Sequence, residues 1–191
     1  EPIAAALDFE ATVDHEQLVL VADIGGGTSD FSLVRVGPAR RQRVERADDI
    51  LANHGVHIAG TDFDRHVELA AILPLAGYKA RGPAPAEREV PSKVYFDLAT
   101  WHLINTVYTP ARVMELRRMR SFYADANLHA RLMAIVGHRL GHALMAKAEA
   151  AQIAVADGHA GEVVAIDLDA LEDGLQATLA EPQALGAIEA D

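Results

Sequence analysis

Residues 19 to 36 read VLVADIGGGTSDFSLVRV: an apolar run, Asp23, the three glycines Gly25, Gly26 and Gly27, Thr28, and a second apolar run that begins after Asp30. Three successive glycines cost backbone entropy, and a plain hairpin turn is better served by Asn-Gly. A ligand that approaches bare backbone would account for them, because consecutive N–H groups in such a turn can converge on an anion, as in the nests that cradle phosphate. Thr28 adds a hydroxyl. Asp23 ends the first apolar run, where a carboxylate could hold the water shell of a magnesium ion that accompanies phosphate. Together these parts fit a nucleotide polyphosphate; a permissive loop beside a strand is the alternative. The chain has no G-x-x-x-x-G-K-[ST], no G-x-G-x-x-G before a helix and no lysine after the glycines, so this is not a Walker loop.

The elements that must position this turn are legible around it. Leu18 to Ala22 is too short and too β-branched for a buried helix and reads as a strand covered on both faces. After the turn, Phe31 and Leu33 fall on one face of a second strand and Val34 and Val36 on the other, with Gly37-Pro38 ending it. AAALDFEA near the start has helical composition, and RQRVERADDI (41–50) offers a third strand with one face in water. From Thr61 the period changes: an N-cap threonine and the first-turn acids Asp62 and Asp64 open a helix that Pro74 and Gly77 close. RGPAPAEREVP (81–91) reads as an exposed, extended and mobile connector. Residues 92–156 read as almost wholly helical, in three segments broken near Thr109-Pro110 and Asp125–Asn127, the last of them (128–155) the longest helix. Past Asp157-Gly158, a turn at Glu172-Asp173-Gly174 joins two alternating runs into a second hairpin.

At 191 residues, half of them hydrophobic, the chain can bury a real core in one domain or two small lobes. Its formal net charge of -11 repels polyphosphate backbones, which argues against nucleic acid. No apolar run approaches the length of a spanning helix, which argues against a membrane. Without cysteine there are no disulfides, no Cys-ligated zinc and no thiol catalysis. A cytoplasmic location is compatible with this. The chain opens on Glu1-Pro2 without an initiator methionine and stops at PQALGAIEAD, where an amphipathic segment has only begun, so it reads as a piece of a longer protein.

Other residues with chemical potential are few. His138 and His142, four apart, could face one metal from a long helix, but packing or solvent exposure is the simpler reading. Gly137 and Gly141 read as sites of close helix approach. Arg112, Arg117, Arg118 and Arg120, near Met114, Met119 and Phe122, form either a solvated basic face or a docking face for a partner. Trp101, with Phe96, Leu98 and Leu103, reads as core.

DIGGGTSDFSLVRV resembles the second phosphate motif of the actin and heat-shock-chaperone ATPase superfamily. Four further segments resemble, in the same order, those of DnaK-type heat-shock chaperones: EPIAAAL (1–7), HIAGTDFD (57–64), AEAAQIAVAD (148–157) and ATLAEPQALGAI (177–188). The helical stretch from FDLATWHLI onward is similar to the divergent YegD-like branch. The resemblance implies an actin-like (ribonuclease H-like) α/β fold, here its second lobe. A phosphate-binding hairpin sub-lobe over 1–59 would carry a helical lid with a small antiparallel sheet over 60–191. It implies ATP or ADP with magnesium as ligands, and as partners a first lobe of the same chain, client proteins and co-chaperones.

By the same resemblance Glu1 would lie beside the metal shell and the attacking water, and Asp23 would hold magnesium through water. Gly25, Gly26, Gly27 and Thr28 would surround the β- and γ-phosphates. Gly60 would approach the ribose, and Glu149 would face the sugar or adenine, with Gln152 one turn on where the family has a lysine. Ala156 replaces a family serine and Ala59 a family glycine. The family's first lobe, with its own phosphate loop and catalytic lysine, has no counterpart here, so this chain alone is not expected to hydrolyse ATP. Two other readings use the same residues. One is a filament-forming or polyphosphate-cleaving member of the superfamily; the other is a pseudo-ATPase kept as a protein-interaction module.

Overall fold

The computed structural model describes residues 1–158, 163–182 and 186. They form a mixed α/β structure with two small antiparallel sheets, divided into two compact units, Glu1–Asp62 and Phe63–Asp191.

The first unit is a three-stranded sheet in the order β1-β2-β3, with β1 Gln17–Ile24, β2 Ser29–Val36 and β3 Ile50–Val56. Helix α1, Pro2–Phe9, starts with proline at a position that needs no N–H. Its Ala6 packs with Val34 and Val36, and Val19 and Val21 close around them. The register pairs Val19 with Val34 and Val21 with Ser32, so these residues share the face that α1 covers. The opposite face of β1 is open among the described residues: Leu18, Leu20 and Ile24 are 58, 66 and 63% exposed, and the expected double cover is corrected to an alternation. The third strand lies at 50–56 rather than 41–50. Pro38 starts a short helix, α2 (Pro38–Arg41), and Arg40 within it and Arg46 beyond it are held in ion pairs instead of joining the ladder. Arg40 reaches Glu16 and Asp49, both at 2.9 Å, and Arg46 reaches Asp49 at 2.6 Å and both carboxylate oxygens of Glu10.

Helix α3, Gly60–Val67, begins one residue before the expected N-cap, because Thr61 spends its hydroxyl elsewhere and the Asp62 carboxylate accepts the Ala59 N–H at 3.1 Å. It continues as a wide π turn over Glu68–Ile72 and a tight turn over Leu73–Ala76. Gly77, at φ 104°, then closes it: Tyr78 N–H bonds Leu73 C=O and Gly77 N–H bonds Pro74 C=O, the paired bonds of a Schellman stop.

The core of the second unit gathers Ile72, Leu73, Tyr95, Leu98, Leu116, Leu132, Ile135 and Leu144. With Val107 they come from α4 (Lys93–Leu98), α5 (Ile104–Val107), α6 (Pro110–Arg118), α7 (Ala126–Gly137) and α8 (Gly141–Asp157), besides the turns that follow α3. The breaks at Thr109-Pro110 and Asp125 fall where the sequence puts them; the Asp125 carboxylate caps α7 through Asn127 N–H at 2.8 Å. Two further breaks do not. Residues 99–103 turn between α4 and α5, which leaves Trp101 57% exposed while Leu98 and Ile104 take the core positions. The helix expected over 128–155 is two helices. Arg139 adopts φ 53°, Leu140 N–H bonds Ile135 C=O, and α7 stops in a second Schellman motif.

Gly141 is a site of close approach, since a Cβ there would lie 2.6 Å from both Ile104 Cγ2 and the Tyr108 hydroxyl. Gly137 is not, for a Cβ there meets nothing. The 81–91 segment is a closed loop rather than an extended connector: Arg81 bridges Glu89, and Gly82 and Val90 N–H groups bond Arg88 and Ala80 C=O. The last hairpin is β4 (Val163–Asp167) against β5 (Gln176–Ala180), turning through Gly174. Beyond Pro182 the expected strand-to-helix step lies mostly outside the described residues.

Candidate functional site

With Ile24 opposite Ser29 as the last pair of the hairpin, the turn is the four residues Gly25 to Thr28, closed by Gly25 N–H to Thr28 C=O at 2.9 Å. Its carbonyl side is occupied by the start of α3. Gly60 N–H donates to Gly25 C=O at 3.1 Å, and Gly26 C=O accepts both Thr61 N–H at 2.9 Å and the Thr61 hydroxyl at 2.6 Å. A helix start has unpaired N–H groups and the turn has unpaired carbonyls, so each satisfies the other. The N–H groups of Gly26, Gly27 and Thr28 donate to no backbone carbonyl among the described residues.

None of the three glycines is demanded by this local geometry. None has φ in the left-handed range, and a Cβ on Gly25 or Gly26 would make only ordinary contacts, at 3.5 Å and 4.0 Å, and one on Gly27 none. Gly27→Ala is therefore expected to leave the first unit as stable as before, or more stable by about 0.4–1 kcal/mol through the unfolded chain. Amide exchange of β1 and β2 measures this. A loss instead would mean that the turn itself requires glycine.

Beside the turn a cleft of about 370 Å³ is lined by Glu1, Pro2, Asp23, Gly25, Thr28, Asp30 and Asn53. Asp23 and Asp30 stand directly opposite in the β1–β2 register, on the face that α1 covers, and Glu1 precedes that helix. Like charges directly opposite across a strand pair are unfavourable, so a cation in this cleft would relieve them. The Thr28 hydroxyl donates to Asp30 Oδ2 at 3.0 Å, and Gly55, opposite Asp30 on β3, leaves room for the other oxygen: a Cβ there would lie 2.5 Å from Asp30 Oδ1. Among the described residues no group of three or more His, Asp or Glu is placed to bind a metal ion directly.

Of the residues singled out from the sequence, Glu1, Asp23, Gly25 and Thr28 line one cleft, and Gly26, Gly27 and Gly60 belong to the same turn assembly. Glu149 and Gln152 are on α8 in the second unit, the first exposed and the second half-buried. His138 caps the end of α7 and His142 is the second residue of α8, so the two histidines do not share a helix. Asp30, Gly55 and Thr61 were missed as site residues. Asp30 had a signal: a four-residue turn at 25–28 must pair residue 23 with residue 30. Gly55 had none, because its use depends on the register of β3.

The site and fold define a mixed α/β chain with an acid-flanked glycine hairpin. No protein-family model matches it. A stretch of 68 residues, 35% of the chain, is 35% identical to the chaperone protein dnaK of Gracilaria tenuistipitata var. liui. The matched part spans 10% of the length of that curated relative. No helix among the described residues is long and apolar enough to cross a membrane.

Proposed function

We propose that this chain is part of the ATP-binding domain of a DnaK-type chaperone, and that the turn Gly25–Thr28 receives the β- and γ-phosphates of ATP. The observation that carries the reading is the division of the turn's two sides. Its carbonyls are held by Gly60 and Thr61, while the N–H groups of Gly26, Gly27 and Thr28 are left to an anion beside Asp23 and Asp30. Glycines that neither φ nor packing requires keep the backbone bare for a phosphate oxygen.

The donor set fits magnesium as a hydrated ion: hard carboxylate oxygens from Glu1, Asp23 and Asp30, without the close triad that direct binding needs. Magnesium bound with the nucleotide would neutralise charge that develops on the phosphates. Asp23 would hold the ion through its water shell, Glu1 would accept a hydrogen bond from the attacking water, and Thr28, whose hydroxyl proton is engaged by Asp30, would offer its backbone N–H to the phosphates. Gly60, bonded to the turn through Gly25 C=O, would approach the ribose. Catalysis of this kind rests on positioning and charge neutralisation, so a complementary lobe supplies the other half of the clamp, and this chain alone does not turn ATP over.

The test is phosphate release by the natural gene product that carries this sequence, with and without magnesium. Magnesium-dependent release that falls at least a hundredfold in Asp23→Asn supports the reading. No release from a folded protein would move the assignment to an interaction module. The exposed Ile153 and Ala156 near the end of α8, where the resemblance calls for polar nucleoside contacts, favour that second reading.

A further inference from the structure

The nucleotide reading makes no use of residues 81–122, which hold seven of the chain's 17 Lys and Arg but four of its 28 Asp and Glu. A chain of net charge -11 thus concentrates positive charge on one stretch of its second unit. Two clefts of about 360 and 420 Å³ open there and share Pro91 and Phe122. Val94 and Met119 lie in the first, and Phe122, which belongs to both, is 50% exposed. Lys93 and Arg112 on the rim are engaged by Asp97 and Glu115. Arg118, beside them, and Arg88, in the second cleft, form no ion pair among the described residues.

The wall of the second cleft is preformed. Gly82 N–H bonds Arg88 C=O at 2.8 Å, and Ala124 N–H bonds Arg81 C=O at 3.2 Å. A Cβ on Gly82 would lie 2.9 Å from Phe122 C=O, so only glycine lets the loop approach this closely. A half-exposed aromatic between unpaired guanidinium groups has the composition of a binding hot spot, and a wall already held in place lowers the ordering cost of binding. A merely solvated basic face requires neither the clefts nor the exposed phenylalanine.

We infer that this double cleft docks an extended acidic protein segment with one aromatic or large aliphatic anchor. The anchor packs against Phe122 and Met119, and the flanking carboxylates meet Arg118 and Arg88. Protein is favoured over nucleic acid because the chain's net charge repels a polyphosphate strand while a short acidic segment feels mainly the local guanidinium groups. The inference is independent of whether ATP binds.

The test screens the complete 191-residue chain against a display library of random peptides of about a dozen residues. Selected peptides are then measured by fluorescence anisotropy against Arg118→Glu, Arg118→Gln and Phe122→Ala, with circular dichroism to verify that each variant is folded. The expected result is enrichment of Asp- and Glu-rich peptides with a single bulky apolar residue. They should bind at least tenfold more weakly to Arg118→Glu and to Phe122→Ala, less so to Arg118→Gln, and more weakly as salt rises. No enrichment over the Arg118→Glu chain would overturn the inference. So would peptides that lack acidic residues, or preferential retention of a DNA duplex or of phosphatidylserine vesicles.

Discussion

Arg46→Met is expected to destabilise the first unit by about 3 kcal/mol, the low end of what removing one partner from a buried ion pair costs. Arg46 donates to both oxygens of Glu10, at 3.0 and 2.9 Å, and to Asp49 at 2.6 Å, and both carboxylates are 1% exposed. Without the guanidinium group Glu10 retains the Gly37 N–H at 2.9 Å and Asp49 retains Arg40, which keeps the loss from being larger. Burial opposes ionisation of both acids. The hydrogen bonds and charge of Arg46 outweigh it, together with the Gly37 N–H for Glu10 and Arg40 for Asp49, and hold both carboxyls below their ordinary values. A depressed carboxyl contributes stability that is complete above its unfolded value of about 4 and is lost as pH falls through its lower folded value. The variant should therefore be less stable at neutral pH and lose less on acidification. Amide exchange in β1 to β3 is the appropriate measurement, since Trp101 and all four tyrosines lie outside residues 1–62. Adding Glu10→Gln to the variant should recover part of the loss, because the two residues form one unit. A change below about 1 kcal/mol would show that the pair is solvated enough to matter little.

The hairpin that bears the candidate site was legible because its signals are local: an apolar run, a glycine turn and a second alternating run are enough to specify β1, the turn and β2. Helix ends marked by residue type were legible too, at Pro110, Asp125 and Gly77. What escaped was set by contacts distant in sequence. The apolar period of 128–155 runs unbroken through Arg139, a residue whose left-handed φ no propensity indicates, so the period predicts one helix where there are two. Thr61 and Asp62 look like an ordinary helix start, and only the fold shows that Thr61 serves Gly26 C=O while Asp62 takes over as cap. The charges of 41–50 suggested a half-solvated strand. Instead Arg46 pairs with Glu10 and Asp49, and Arg40, just before this stretch, pairs with Glu16 and Asp49, so together they form a polar brace. The candidate site divides in the same way. Its turn is written in consecutive residues, whereas the place of Asp30 over Gly55 follows from strand register, which depends on the whole sheet.

Glu68→Met is expected to stabilise the second unit by about 1–3 kcal/mol, the range for a buried polar group left without a partner. Glu68 is fully buried in the π turn after α3, and both its carboxylate oxygens lack a hydrogen-bond partner among the described residues. Burial, reinforced by the charge of Asp64, pushes its carboxyl well above the ordinary value. Asp64 is itself pushed up to about 6 by burial and by Glu149. The sign is opposite to that of Glu10. A raised carboxyl keeps its proton in the folded chain after the unfolded chain has released it, so stability falls as pH rises from about 4 through the folded value. The unsubstituted chain should lose stability from pH 4 toward neutrality, and Glu68→Met should remove most of that slope, leaving the part due to Asp64. Glu68→Gln should flatten the slope equally with a smaller gain, since its amide still lacks partners. Near-UV circular dichroism of the buried Tyr95–Tyr123 pair, whose hydroxyls are 2.7 Å apart, reports on this unit during denaturation. If Glu68→Met instead lowers stability at neutral pH, the carboxyl has a partner that stabilises its charged form, and the buried acid is part of a built site rather than an uncompensated group.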